Sequence, residues 1–208
     1  MLFALGLGAA ILLSNREVQG PDGVPLINNG QHYNEVLQEA DTLVRKPFET
    51  ADAGGDLTDE DRKNLRQAVK LFDAMNAFQP RKLGPYLGAG KAYALLGEYD
   101  LAETRLRQLI SNVPIYEDND AGRRAALEAK YVLSQIRFRQ GKMQEAYDLA
   151  DEVVKVIPDA PNYLIARASA AIELRKLDQA KADVANTLQL DPGHPRAKQL
   201  ATLLKTAK

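Results

Sequence analysis

The 208-residue chain contains no cysteine, and that absence removes disulfides, thiolate nucleophiles, cysteine-ligated zinc and lipidation at a lipobox cysteine together. Compartment stays open, because a cysteine-free chain suits oxidising and reducing spaces alike. Histidine is nearly as scarce. His32 and His194 stand far apart in sequence, each beside turn-forming residues, a placement that reads as solvent-exposed loop histidines rather than a metal pair. Charge of one sign is also lacking: the formal net charge is -1, so no global field draws the protein onto nucleic acid or an anionic membrane, and nucleic acid is not expected as a partner. With 45% apolar and 26% charged residues, the chain can still bury a sizeable core, as one domain or as a short run of repeated units.

Motifs that carry chemistry are absent too. There is no Gly-x-Gly-x-x-Gly or Walker loop, no His-Glu-x-x-His and no Gly-x-Ser-x-Gly. Acids alternate in "EDNDAGRRAALE" from Glu117, but the third ligand and closing glutamate of a calcium loop are missing. The stretch reads as a solvated turn with Asp120 capping the next helix. No catalytic residue, cofactor or metal is expected, and the chain does not read as an enzyme.

Long hydrophobic runs are limited to the start. "MLFALGLGAAILLSN" has no charged side chain before Arg16, yet as a helix it reaches only about 22 Å against a hydrocarbon core of about 30 Å. It lacks the basic residues and the small-x-small site of a secretory signal. Residues 1–14 are therefore read as a short membrane anchor or signal-like segment, with Met1 to Leu13 as the membrane contact, or as a helix buried against partner subunits. "NREVQGPDGVPLINNG", residues 15–30, reads as a flexible tether rich in Gly, Pro and Asn. Arg16 after the apolar run favours a folded domain on the cytoplasmic side, with a periplasmic or exported location as the alternative.

What the remainder does contain is a repeat. Aligning Ala102, Ala146 and Ala180 brings Gly97, Gly141 and Arg175 into step five residues upstream. Leu106, Ala150 and Val184 fall in step four residues downstream, and Pro114, Pro158 and Pro192 twelve downstream. The last two units are offset by 34 residues and the first two by 44, the surplus being "IYEDNDAGRR". Subtracting 34 from the first unit sets Ala68, Phe72 and Pro80 at the same landmarks. Each unit reads as a helical hairpin: Gly90, Ser134 and Ala168 let the first helix approach the alanine of the second, near the 8–10 Å typical of packed helices. Glycine ends the first helix and proline ends the second. Leu106, Leu109, Val153 and Leu188 fill the seams. Ahead of the repeats, Gly54 and Gly55 break the first helix expected of the leading unit, and "QHYNEVLQEADTLVRK" reads as its replacement, an amphipathic helix with Tyr33, Val36, Leu37, Ala40, Leu43 and Val44 on one face. Behind them, "PRAKQLATLLKTAK" reads as a capping helix with Leu200, Leu203 and Leu204 inward and Lys198, Lys205 and Lys208 in water.

Tyr86, Gly90, Tyr93, Gly97, Tyr99, Ala102, Leu106 and Pro114 together resemble the tetratricopeptide repeat (TPR). Two further units carry Gly141, Ala146 and Pro158, then Ala168, Ala180 and Pro192, with Lys130 and Arg137 at two aromatic positions. The resemblance implies an all-α, right-handed TPR superhelix, an α-solenoid of antiparallel helix pairs. Its expected layout is divergent leading helices at 31–82, three TPR units at 83–116, 127–160 and 161–194, and the cap at 195–208. It implies a protein partner, an amphipathic helix or an extended peptide, in a concave groove. The inward positions it gives are Leu87, Lys91 and Ala94, then Glu128, Tyr131, Gln135 and Phe138, then Asn162, Ile165, Ser169 and Ile172. Members that grip a C-terminal carboxylate carry Lys, Asn and Asn where this chain has Leu87, Lys91 and Val132. The apolar members of the set suit an amphipathic helix, with two alternatives open: a helix of a partner, or the chain's own helix at Gln31 to Lys46 filling the groove or capping the leading end.

The expected function is a non-enzymatic protein–protein interaction scaffold, anchored at a membrane, that recruits partners or helps assemble a membrane protein complex. A stoichiometric structural subunit of such a complex and an exported soluble protein with a cleaved signal are the alternatives. Oligomeric state is not legible.

Overall fold

The computed structural model describes residues 26–206 apart from 53 and 114–119. The expected anchor and most of the expected tether, residues 1–25, lie outside the described residues, as do Glu117, Asp118 and Asn119 of the acidic stretch. Nine helices and no strands occur among the described residues. They are α1 (Gly30–Asp52), α2 (Asp59–Phe78), α3 (Leu83–Leu96), α4 (Tyr99–Asn112), α5 (Asp120–Arg139), α6 (Met143–Val156), α7 (Pro161–Glu173), α8 (Leu177–Leu190) and α9 (Pro195–Thr206).

The repeat in sequence becomes a repeat in helix starts. Helices α4, α6 and α8 each run 14 residues and begin at Tyr99, Met143 and Leu177, which reproduces the 44- and 34-residue offsets of the aligned alanines. The turn before each is closed in one way. Gly97 donates its amide to Ala94 and Glu98 to Tyr93; Gly141 donates to Phe138 and Lys142 to Arg137; Arg175 donates to Ile172 and Lys176 to Ala171. This pair of bonds captures the last carbonyls of α3, α5 and α7 and needs one residue in the left-handed region. Gly97 and Gly141 lie at φ 80° and 76°, and Arg175 takes the same place at φ 59°, where a side chain costs about 1–2 kcal/mol. Helix α1 ends likewise, with Gly54 at φ 77° and the amides of Gly54 and Gly55 bonded to Ala51 and Thr50. Asp100 and Asp178 fall inside the first turns of α4 and α8 and form no side-chain cap, so they act on the helix dipole.

Packing follows from size. Ala102, Ala146 and Ala180 are all buried, each where its helix crosses its partner. A methyl group added at Gly90 would come within 2.6 Å of Leu106, and one at Gly88 within 2.6 Å of the Phe72 ring. Gly90 thus makes room for the large residue of its own pair and Gly88 for that of the preceding one. Leu106, Leu109 and Val153 are fully buried, each worth about 1.5–3 kcal/mol. In the last unit the equivalent slot goes to Thr187, whose hydroxyl donates to the Asp183 carbonyl at 2.8 Å; Leu188 is only half-buried.

Helix α3 also packs on α5 and α5 on α7, whereas α4, α6 and α8 do not pack closely on one another. First helices crowd together while second helices spread, and the stack of antiparallel pairs curves with α3, α5 and α7 along its inner wall.

Three elements depart from the sequence reading. Helix α1 does not stop near Lys46 but continues through a buried Pro47 to Asp52. Its inner face is Tyr33, Val36, Ala40 and Val44, with Leu37 and Leu43 half-buried beside them, and it packs on α2. Some of the ten-residue surplus is helical, since α5 begins at Asp120, with Gly122 close to Leu83 and Val113. In α9 the inward residues are Ala197, Leu200 and Leu204, while Leu203 is 48% exposed.

Gly90→Ala is expected to lower stability by about 1 kcal/mol, because overpacking Leu106, at about 1–3 kcal/mol, outweighs a helix-propensity gain of about 1 kcal/mol. Gly84→Ala, which meets nothing within 4 Å, serves as the control and should not lower the urea midpoint. Arg175→Gly should raise stability by about 0.5–1 kcal/mol, since relief of the left-handed backbone exceeds the entropy that glycine adds to the unfolded chain; an unchanged or lowered melting temperature would contradict the assignment.

Candidate interaction groove

Before it is a surface, the inner wall is three helices held at fixed offsets, and polar links across the seams contribute to holding them. Tyr93 on α3 donates through its hydroxyl to Asp73 on α2 at 3.4 Å, and Arg105 on α4 pairs with the same carboxylate at 2.8 Å. Arg137, at the position of Tyr93 one unit later, reaches back from α5 to Glu103 on α4 at 2.6 Å and across to Glu145 on α6 at 2.8 Å. Its guanidinium holds the Glu103 carboxyl well below the ordinary 4.5, at about 2. On α7, Arg167 clasps both oxygens of the buried Asp183 on α8 at 2.7 and 2.9 Å and also bonds Asp151 on α6 at 2.6 Å. Charge-assisted, two-pronged pairs of this kind fix angle as well as distance.

Two adjoining cavities of about 510 Å³ and 480 Å³ run along the wall so positioned. Both are bordered by Ala51, Tyr131, Gln135, Asn162 and His194, so they form one cleft. Of the residues expected to face inward, Lys91, Ala94, Glu128, Tyr131, Gln135 and Asn162 line the first cavity. Tyr131, Gln135, Phe138, Asn162, Ile165 and Ser169 line the second. Leu87 and Ile172 line neither; they are half-buried against the two apolar clusters of the core.

Several lining residues lie beyond that set. Phe48 and Ala51 come from the extension of α1, which places that helix at the cleft's leading edge as well as on α2. Tyr163 comes from α7, Arg139 from the last turn of α5, and Arg196 and Gln199 from the cap α9. Arg139 follows Gln135 by four residues and so shares its stripe, a signal the sequence did offer. His194 is not a free loop histidine: its Nδ1 accepts from the Ala197 amide at 3.3 Å, capping α9, and its Nε2 donates to Asn162 Oδ1 at 3.2 Å. His32 lies in the first turn of α1, half-buried.

The cleft is chemically uneven. At the leading end Glu128 accepts from Lys91 at 3.2 Å and from the Tyr163 hydroxyl at 2.8 Å. Lys91 also stands 5.1 Å from the centre of the Phe48 ring, a cation–π contact. Burial and the Glu128 bond together raise the Tyr163 phenol above its usual range. The Tyr163 and Tyr131 rings lie 4.9 Å apart, and Tyr131 accepts from Gln135 at 2.7 Å. At the trailing end no Asp or Glu among the described side chains lines the second cavity. Among the described residues no group of three or more His, Cys, Asp or Glu could hold a metal ion.

The chain is an all-α helical-repeat protein. No family model matches it. In sequence it is similar to tetratricopeptide repeat protein 16 of Mus musculus, 26% identical over 131 residues; the match takes in 63% of this chain and only 17% of that protein's length. In structure it is similar to a tetratricopeptide repeat protein from Parabacteroides merdae, with a TM-score of 0.53 and 16% identity over 81% of this chain and 59% of the other. The structural likeness speaks to the fold, and both comparisons support TPR-type repeats.

The Glu103–Arg137 link yields a pH signature. Because the folded pKa of Glu103 is depressed from 4.5 to about 2, its contribution is fully present above pH 4.5 and is lost as pH falls towards 2. Glu103→Gln should therefore lower the melting temperature at pH 7, by about 1–3 kcal/mol in stability, and flatten the fall between pH 4.5 and 2. Parallel melting curves for the two proteins across that window would exclude the link as a stabilising one.

Proposed function

We propose that this chain is a non-enzymatic interaction module that holds a segment of a partner protein in the cleft along α3, α5 and α7. The observation that carries the reading is the cleft itself: two joined cavities bordered by Phe48, Tyr131, Phe138 and Ile165, beside polar groups the core does not consume. A mixed apolar and hydrogen-bonding wall of this kind fits a peptide or an amphipathic helix. Likeness to TPR proteins points the same way.

The reading extends, on sequence grounds, to a membrane. Met1 to Leu13 is the apolar segment that would tie the module to a bilayer, with Arg16 favouring the cytoplasmic side. Among the described residues no helix is long and apolar enough to cross a membrane. A tethered module with an open cleft suits the recruitment of partners during assembly of a membrane complex.

A photo-crosslinking residue placed at Gln135, exposed on the cleft, should give a discrete protein adduct in native membranes. One at Lys181, exposed on α8, should not. The adduct should vanish in Tyr131→Ala/Phe138→Ala with helicity retained. Equal adducts from both positions, or capture that survives the double substitution in a folded protein, would overturn the assignment of the cleft.

A further inference from the structure

The two ends of the cleft differ in charge, and the difference names the chemistry of the occupant. Two carboxylates line the leading cavity: Glu128, engaged by Lys91 and Tyr163, and Asp191, whose Oδ1 accepts from the Gly193 amide. The trailing cavity is bordered by Arg139 and Arg196, and among the described side chains no acidic residue lines it. This positive character is local, since the whole chain carries a net charge of -1. Arg139 makes no ion pair among the described residues, and the hydrogen bond shown by Arg196 goes to a neutral acceptor, Gln199 Oε1, at 3.1 Å.

Neighbouring groups turn the same way. His194 donates to Asn162 Oδ1, which leaves the Asn162 amide hydrogens as donors. Gln199, accepting from Arg196 through Oε1, likewise keeps its amide hydrogens. Two guanidinium groups with two amide donors match a carboxylate, which accepts in pairs. Phe138 and Ile165 in the same cavity supply apolar surface beside them.

Resting on the interaction reading above, we infer that the trailing cavity selects an extended partner segment in which an Asp or Glu side chain sits next to an apolar one. The carboxylate lies between Arg139 and Arg196, and the apolar side chain rests on Phe138 and Ile165. A protein segment fits better than a polyanion. Only two guanidinium groups border the cavity, its remaining wall is largely apolar or amide, and no run of basic residues in the sequence extends it to follow a phosphate backbone.

The test is selection of a random twelve-residue peptide library on the full-length chain, with Tyr131→Ala/Phe138→Ala as the counter-selection. Cleft-dependent peptides should be enriched in Asp or Glu adjacent to an apolar residue. In a selected peptide, exchanging the acid for its amide should weaken binding about tenfold to the parent chain. The same exchange should cost Arg139→Gln/Arg196→Gln, whose substituted positions are exposed, less than about twofold. Cleft-dependent peptides without acidic enrichment would overturn this inference and leave the interaction reading intact. Failure to select any cleft-dependent peptide would count against both. Displacement of the selected peptide by single-stranded RNA or phosphatidylserine vesicles, with no preference for a carboxylate, would reassign the cavity to polyanions.

Discussion

Everything in this molecule depends on how closely two helices of one pair can approach. At the crossing points the side chains are Ala102, Ala146 and Ala180, buried to 0%, 2% and 0% exposure. Nothing larger fits at the usual 8–10 Å spacing without prising the pair open. The facing residue must then be shaped to match, and Gly90 shows the limit: Leu106 already fills the space a methyl group would need. Leu106, one turn beyond Ala102, consequently packs on Gly90 within its own pair, and Leu109 and Val153, two turns beyond their alanines, are fully buried. A pair that packs too loosely would present no seam for its neighbour, so the stack inherits its geometry from the smallest side chains in it.

The seams are not uniformly apolar. Buried apolar residues form one cluster from α1 to α5 and another from α7 to α9, and Arg167 with Asp151 and Asp183 ties α6, α7 and α8 together. A half-buried arginine paired with a buried carboxylate adds little net stability over a hydrophobic residue of equal size, because both charges must be desolvated. What it supplies is direction. A guanidinium bonded to both oxygens of one carboxylate and one oxygen of another tolerates little sliding or rotation, whereas Leu against Val tolerates both. In the preceding unit Arg137 on α5 bridges two helices by bonding one oxygen each of Glu103 and Glu145, at the position where the first unit has Tyr93, which bonds Asp73. The departures of the second unit from the aromatic pattern are thus replacements of one seam contact by another, not decay of the repeat.

Much of the fold was legible because its signals are local. A left-handed turn residue, a small residue at the crossing and a proline beyond the last turn each act over a few residues, and three copies in phase reinforce one another; Arg175 could be placed only because Gly97 and Gly141 fixed the phase. The cleft was harder. Positions on α3, α5 and α7 follow from helix periodicity, yet a stripe three or four residues wide does not distinguish the exposed wall from the seam beside it, and Leu87 and Ile172 turn towards the core. Phe48 and Ala51 were hidden by Pro47, since a proline ordinarily reads as a helix end. Here its ring is buried, and the helix continues through it at the loss of one backbone bond. His194 was hidden because Asn162, its partner in an earlier unit, lies across a junction that no short-range pattern encodes, although its cap on the Ala197 amide is local.

The ends of the array, not its repeats, give the cleft its asymmetry. Within the repeats the inner wall alternates apolar and amide side chains with an internal ion pair, Lys91 with Glu128. A perfectly periodic stack built from such units would bind any partner in several registers. Helix α1, whose Ala51 borders both cavities, brings Phe48 against Lys91 at one end, and α9 brings Arg196 and Gln199 to the cavity that Arg139 also lines at the other. The first contact withdraws charge from the leading end by holding it in a pair and against a ring; the second concentrates charge at the trailing end, in a cavity that no acidic residue lines among the described side chains. An elongated occupant therefore meets a wall that is chemically directional even though its scaffold is repetitive. Direction and register are set by the two elements that are not repeats, which is where specificity can change without disturbing the packing that holds the stack together.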